Sequence, residues 1–125
     1  MSLSRKQSGA RAEELARAWL ERQGYAIVAV NVRFRAGEID IIAREGKVLC
    51  FVEVRSTSSD LWGGPLATIS DGKRRRLILA AQLYLQRMKE IPDEVRFDVV
   101  SVLGQPDSQP ELDLIRGAFT ADGYF

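Results

Sequence analysis

The chain has 125 residues, of which 46% are hydrophobic and 28% are charged, and its formal net charge is +1. These values are typical of a single soluble globular domain covering 1–125, for which a cytoplasmic location is the default expectation. The sequence contains no histidine, which excludes Ser-His and Cys-His catalysis and removes the commonest ligand of zinc and iron. Any hydrolytic chemistry must therefore depend on carboxylates, lysine and a hard metal ion.

The apolar runs are short. A run such as VLCFV at 48–52 is far below the roughly 20 residues of a membrane-spanning helix, and the start MSLSRKQSGA lacks the apolar core of a signal peptide. The single cysteine, Cys50, lies within this run, which favours an inert core thiol over a nucleophile. We expect no membrane contact.

The charges are unevenly distributed along the chain. Residues 1–89 contain 16 of the 18 basic residues and 9 of the 17 acidic residues, a net charge of +7, whereas residues 90–125 have a net charge of −6. This distribution favours a polyanion-binding face in the first two thirds of the protein.

The hydrophobic pattern predicts the elements in the order helix, three strands, helix, two strands. A helix is predicted at about 9–23 because apolar residues recur three and four apart, and Gly24 ends it. A strand (25–33) and two alternating segments (about 38–43 and 48–55) follow, the latter joined by the turn REGK. After a long loop (56–72) come a second helix (about 73–89), the strand EVRFDVVSVL and a short strand ELDLI. The order indicates an α/β domain with helices flanking a mixed β-sheet.

Three acidic residues interrupt the apolar strands: Glu38, Asp40 and Glu53. An odd number of residues in the hairpin loop would place the acidic residues on opposite faces, but if the number is even, as the four residues REGK would give, residue 42 pairs with 49, 40 with 51 and 38 with 53. Alternation then places Glu38, Asp40 and Ile42 on one face, with Asp40 and Glu53 as diagonal neighbours about 7–8 Å apart at the backbone. We expect these two carboxylates to converge on one cation.

Each predicted helix contributes one unusual charged residue. Glu13 borders the apolar stripe of the first helix and is the acidic residue there that can approach the sheet. Lys73 lies on the buried stripe of the second helix, at its positive end, where a cation is unfavourable unless an anion is near. Arg74, Arg75 and Arg76 follow it and form either a solvated face or a phosphate-contacting one.

Asp40, Glu53 and Arg55 together suggest phosphodiester hydrolysis. Carboxylate oxygens suit Mg²⁺ or Mn²⁺, which would lower the pKa of a bound water and neutralise charge on a phosphate oxygen. A cation beside the metal would stabilise the phosphate in the transition state. Asp98, in RFDVV, is instead expected to pair with Arg96 or a loop donor and receives no catalytic role.

The motifs GEIDIIA, FVEVR and RFDVV, a lysine opening a helix at Lys73 and the N-terminal GARAEELARAWLERQGY resemble the bacterial YraN-like family over about 9–119. That family is similar to the PD-(D/E)xK nucleases with the restriction-endonuclease-like fold and to archaeal Holliday junction resolvases. The resemblance implies that Asp40 and Glu53 are metal ligands, that Arg55 fills the lysine position and that Glu13 is the helical glutamate. It also implies a nucleic-acid partner, DNA rather than RNA, and a homodimer.

One departure from the nuclease pattern leaves alternatives open. Arginine at position 55 can bind a phosphate but cannot give up a proton to act as a base. Either Arg55 acts only through its charge, or Lys73 supplies the missing ammonium group, or catalysis is lost.

The predicted function is a metal-dependent endonuclease acting on structured or branched DNA. The alternatives are a non-catalytic nucleic-acid-binding module with the nuclease fold, and a protein-interaction subunit that uses the acidic C-terminal third. Trp62, in the long loop, is predicted either to stack on a base or to anchor that loop.

Overall fold

The computed structural model describes residues 5–57, 69–105 and 108–122. The predicted loop 56–72, including Trp62, lies largely outside these ranges. The elements are helix α1 (Arg5–Arg22), strands β1 (Ala26–Phe34), β2 (Gly37–Glu45) and β3 (Val48–Thr57), helix α2 (Asp71–Gln86), and strands β4 (Glu94–Gln105) and β5 (Ser108–Phe119). Their order confirms the prediction of helix, three strands, helix and two strands.

The five strands form one mixed sheet in the order β1-β2-β3-β4-β5. Strands β1, β2 and β3 are antiparallel neighbours, β3 and β4 are parallel, and β4 and β5 are antiparallel. The parallel pair requires a crossover connection, which contains α2. This α/β architecture is consistent with the restriction-endonuclease-like fold. Neither helix within the described ranges combines the length and apolarity needed to cross a lipid bilayer.

The two helices cover opposite faces of the sheet, and the central strand is therefore apolar on both sides. Helix α1 packs Ala12, Ala16 and Leu20 against one cluster, which includes Cys50 and Val52 of β3. Helix α2 contributes Leu77 and Ile78 to the other cluster, which also includes Leu49, Phe51 and Phe97. Burial on both faces explains the nearly continuous apolar run of β3.

The turn between β2 and β3 is shorter than the sequence suggested. Glu45 pairs directly with Val48, so only Gly46 and Lys47 form the turn, and Gly46 adopts a positive φ of 61°. Consequently Ile42 lies opposite Phe51, and the predicted pairing of 42 with 49 is wrong by two residues.

A second difference from the prediction is a break in the alternation of side chains along β2. Ile39 and Ile42 both pack in the cluster under α2, whereas Ile41 packs in the cluster under α1. Regular alternation is therefore interrupted between Ile39 and Ile41, the two neighbours of Asp40, and the regular alternation predicted for this strand is wrong at that point. On the neighbouring strand, Asn31 has a φ of 51°, an uncommon conformation that asparagine tolerates better than most residues. These two irregularities lie at the point where the acidic residues gather.

Candidate active site

The candidate site lies where the β2–β3 ladder ends. The last backbone pair is Ile41 with Val52, and the next positions along the two strands are Asp40 and Glu53. Beyond that pair the Asp40 carboxylate takes the place of a backbone acceptor, because the Val54 N–H donates a 2.9 Å hydrogen bond to Asp40 Oδ2. Asp40 and Glu53 therefore lie in successive positions opposite each other, closer than the diagonal arrangement predicted from the sequence.

The acidic residues line a polar cavity of about 390 Å³ between the two helices. Its walls are contributed by α1, the start of β2, the middle of β3 and the first turns of α2. The lining residues are Glu13, Gly37, Glu38, Asp40, Glu53, Val54, Lys73, Arg76 and Leu77. Four of the five residues predicted to be catalytic are thus brought together, although they come from four different elements.

Lys73 neutralises the more deeply buried of the two strand carboxylates. Its Nζ lies 2.7 Å from Glu53 Oε1, and the Glu53 side chain is only 4% exposed whereas that of Lys73 is 39% exposed. The start of α2 fixes this position, because Ser70 caps the helix and its Oγ accepts a hydrogen bond from the Lys73 backbone N–H. The predicted need for an anion beside Lys73 is therefore confirmed, and that anion is Glu53.

Asp40 binds a proton more tightly than an ordinary aspartate does. Burial raises the pKa of Asp40 to about 8, and the charges of Glu53 and Glu13 add to the effect, while the hydrogen bond from Val54 opposes it. Burial also raises the pKa of Glu13, assisted by the charge of Glu38. Near neutral pH Asp40 therefore holds a proton that a bound cation could replace.

The remaining predicted residues occupy different surroundings. Arg55 is half-buried on β3 and is not among the residues that line the cavity. Arg76 lines the cavity, whereas Arg74 turns towards β5, where its guanidinium lies 5.6 Å from the centre of the Phe119 ring. Arg75 is exposed. The three consecutive arginines therefore do not form a single face.

A complete metal cage is not preformed in the part of the chain that the structure describes. No group of three or more Asp, Glu or Cys side chains in these ranges is positioned to hold a metal ion. Two carboxylates, those of Asp40 and Glu53, remain compatible in chemistry with Mg²⁺, which commonly takes one or two carboxylates and completes its shell with water and substrate phosphate. Their crowding in a buried position is also chemically suited to a divalent cation, because the Asp40 carboxyl is difficult to ionise without one.

Gly37 is a site residue that the sequence analysis did not identify. A Cβ atom on Gly37 would lie 2.7 Å from the backbone oxygen of Arg76, so only glycine allows the β1–β2 hairpin to approach the first turns of α2 this closely. The signal available in the sequence was a glycine directly before the acidic residue Glu38, at the start of a predicted strand.

A second polar cluster at the opposite end of the sheet is structural. Asp98 is fully buried and accepts hydrogen bonds from Arg96 Nε (2.8 Å), the Tyr25 hydroxyl (2.9 Å) and the Gly117 N–H (2.9 Å). The predicted pairing of Asp98 with Arg96 is confirmed. Cys50 lies near this cluster, and burial raises the pKa of its thiol to about 12, in agreement with the predicted inert core thiol.

Comparison with known proteins identifies the family. Residues 12–102 match the family model described as "Uncharacterised protein family UPF0102", a range that includes the four predicted residues in the cavity. The chain is 45% identical to a UPF0102 protein from Xanthomonas euvesicatoria, with 98% of both chains covered. It is 44% identical to one from Anaeromyxobacter sp., covering 95% of this chain and 89% of the relative, and 45% identical to one from Symbiobacterium thermophilum, covering 90% and 96%. The chain therefore belongs to the UPF0102 family.

Proposed function

We propose that this protein is a metal-dependent endonuclease that hydrolyses phosphodiester bonds in structured or branched DNA. The observation that carries the proposal is the pair of carboxylates, Asp40 and Glu53, in one buried cavity with Lys73 at its edge. Crowded carboxylates are unfavourable in a buried position unless a cation compensates them, so their arrangement suits divalent metal binding.

In this proposal each residue of the cavity has a distinct task. Asp40 and Glu53 would hold Mg²⁺ or Mn²⁺, which when bound supplies an activated water and neutralises phosphate charge. Lys73, at 39% exposure, extends from the buried carboxylate towards the opening, where its ammonium can contact a phosphate oxygen. Glu13 lies within hydrogen-bonding reach of Asp40, and Arg76 adds positive charge at the cavity wall.

Cleavage assays provide the direct test. Labelled duplex, branched and single-stranded DNA and a matched RNA are incubated with the protein and Mg²⁺ or Mn²⁺. We expect cleavage of a DNA substrate by the wild-type protein and its loss in Asp40→Ala and Glu53→Gln, with Glu111→Gln, an exposed acid on β5, as the active control. Cleavage that persists in both cavity variants would contradict the assignment.

The lysine hypothesis has its own matched pair of variants. If Lys73 replaces the lysine that Arg55 does not supply, Lys73→Ala should reduce the cleavage rate far more than Arg74→Ala, because Arg74 faces Phe119 instead of the cavity. Equal losses in the two variants would argue against a special role for Lys73.

A non-catalytic nucleic-acid-binding module is the second candidate. The arginine at position 55 and the lack of a three-ligand acidic group among the described residues favour it. Tight DNA binding in mobility-shift assays with no cleavage in any divalent metal would select this candidate. A homodimer belongs to the proposal for either function, and analytical ultracentrifugation with and without DNA tests it.

A further inference from the structure

The β1–β2 hairpin forms one wall of the candidate site. Its two-residue turn, Arg35 and Ala36, lies between Phe34 and Gly37, and the next residues along β2, Gly37 and Glu38, line the carboxylate cavity. The close approach of Gly37 to the backbone of Arg76 fixes the hairpin against the start of α2. The tip of the hairpin is therefore held beside the opening of the cavity.

Two arginines project from this hairpin into solvent. The Arg33 side chain is 77% exposed, and Arg35 is exposed in the turn itself. Arg33 Nε lies 3.4 Å from Oε1 of Glu38, a residue of the cavity wall, which connects the arginine directly to the site. An ion pair this exposed contributes little to stability, so the fold does not account for the arginine.

The adjoining wall, contributed by α2, is cationic. Lys73 and Arg76 of α2 line the cavity, and Arg75 is exposed beside them. The acidic cavity is therefore bordered by cations from two adjoining elements, the exposed arginines of the hairpin and the first turns of α2. A phosphate backbone is the ligand that this arrangement suits, because its negative charges repeat along a line and can contact cations of both elements at once.

We propose that the β1–β2 hairpin is a second nucleic-acid contact surface, in which Arg33 and Arg35 bind backbone phosphates next to the one held over the cavity. The inference rests on the proposed function for its ligand class, and it assigns residues that lie outside the nuclease-like motifs. These contacts go to phosphates and not to base edges, so they position the nucleic acid without reading its sequence.

The test compares DNA affinity at several salt concentrations for two charge-matched double variants. The first is Arg33→Gln with Arg35→Gln. The second, Arg22→Gln with Lys47→Gln, removes two exposed cations from the end of α1 and the β2–β3 turn, away from the cavity. Binding of a fluorescently labelled duplex is followed by anisotropy in EDTA, which prevents cleavage.

We expect the hairpin variant to bind more weakly than wild type and to reduce the slope of log K against log[salt] by about 1.8, the value for two lost phosphate contacts. The control variant should retain the wild-type slope. Equal slopes in wild type and the hairpin variant would overturn the inference, and so would equal reductions in the hairpin variant and the control.

Cleavage assays separate this inference from the proposed function. If the hairpin variant keeps the wild-type salt dependence while Asp40→Ala abolishes cleavage, the hairpin inference is wrong and the nuclease proposal remains. If the hairpin variant loses affinity and the wild-type protein cleaves no substrate in any metal, the inference remains and the catalytic proposal is wrong.

Discussion

Asp40 should make the stability of this protein fall as the pH rises. Because burial and the charges of Glu53 and Glu13 raise the pKa of Asp40 to about 8, the folded protein holds a proton that the unfolded chain releases near pH 4. Between these two values the folded state binds more protons than the unfolded state, so the free energy of unfolding decreases with increasing pH. Above the folded pKa the folded state has also released its proton, and the free energy of unfolding decreases no further.

The size of the effect follows from the number of protons involved. One proton corresponds to about 1.4 kcal/mol per pH unit, so the loss between pH 5 and pH 8 amounts to at most about 4 kcal/mol. The charges of Glu53 and Glu13 help to set the pKa of Asp40, so about 4 kcal/mol is an upper bound and not the contribution of one isolated side chain.

Asp40→Asn isolates this contribution. The amide oxygen can still accept the hydrogen bond from the Val54 N–H, but the side chain carries no charge at any pH. We expect the free energy of unfolding of Asp40→Asn to exceed that of wild type increasingly from pH 5 to pH 8, measured by urea denaturation without divalent metal. Glu111→Gln, which removes an exposed acid, should remain parallel to wild type. If the Asp40→Asn and wild-type curves run parallel over this range, the reasoning about a crowded, protonated site is refuted.

Three further predictions concern metal binding and the scaffold. At pH 8, saturating Mn²⁺ should raise the melting temperature of wild type in differential scanning calorimetry, because binding to the folded state stabilises it, and should raise that of Asp40→Asn much less. Equal increases would place the metal elsewhere. Gly37→Ala should destabilise the protein by roughly 1–3 kcal/mol in urea denaturation, because its Cβ would meet the Arg76 backbone, whereas a Cβ on Gly104 meets nothing within 4 Å and Gly104→Ala should not show that loss. Asp98→Asn should cost about 3–5 kcal/mol by the same measurement, because it leaves Arg96 without its buried carboxylate; a cost below 1 kcal/mol would contradict this account of the cluster.

The elements were predictable from the sequence because their signals are local. Helix α1 shows its buried positions Ala12, Ala16 and Leu20 at spacings of four, and Gly24, with a φ of 97°, ends it as predicted. Lys73 was identifiable because a cation at the positive end of a helix contradicts local preference. This conflict between Lys73 and its position is visible in the sequence, whereas its pairing with Glu53 is not.

The errors arose where distant residues determine local geometry. The strands of the β2–β3 hairpin extend to Glu45 and Val48, and Glu45 is held there by ion pairs with Arg96 and Arg116, which are 51 and 71 residues away in the sequence. The hydrogen bond with Arg116, together with that of Arg96, lowers the pKa of Glu45 to about 2 against the effect of burial. No local pattern reveals these contacts, so REGK was read as a four-residue loop.

Asp40 and Glu53 meet even though the predicted pairing was wrong. The shift of two residues places them next to each other at the end of the β2–β3 ladder, where the Asp40 side chain accepts the hydrogen bond of the Val54 N–H. It also changes the pair from diagonal to opposite positions, which brings their charges closer and helps to raise the pKa of Asp40. The shorter turn therefore strengthens the crowding on which metal binding is proposed to depend.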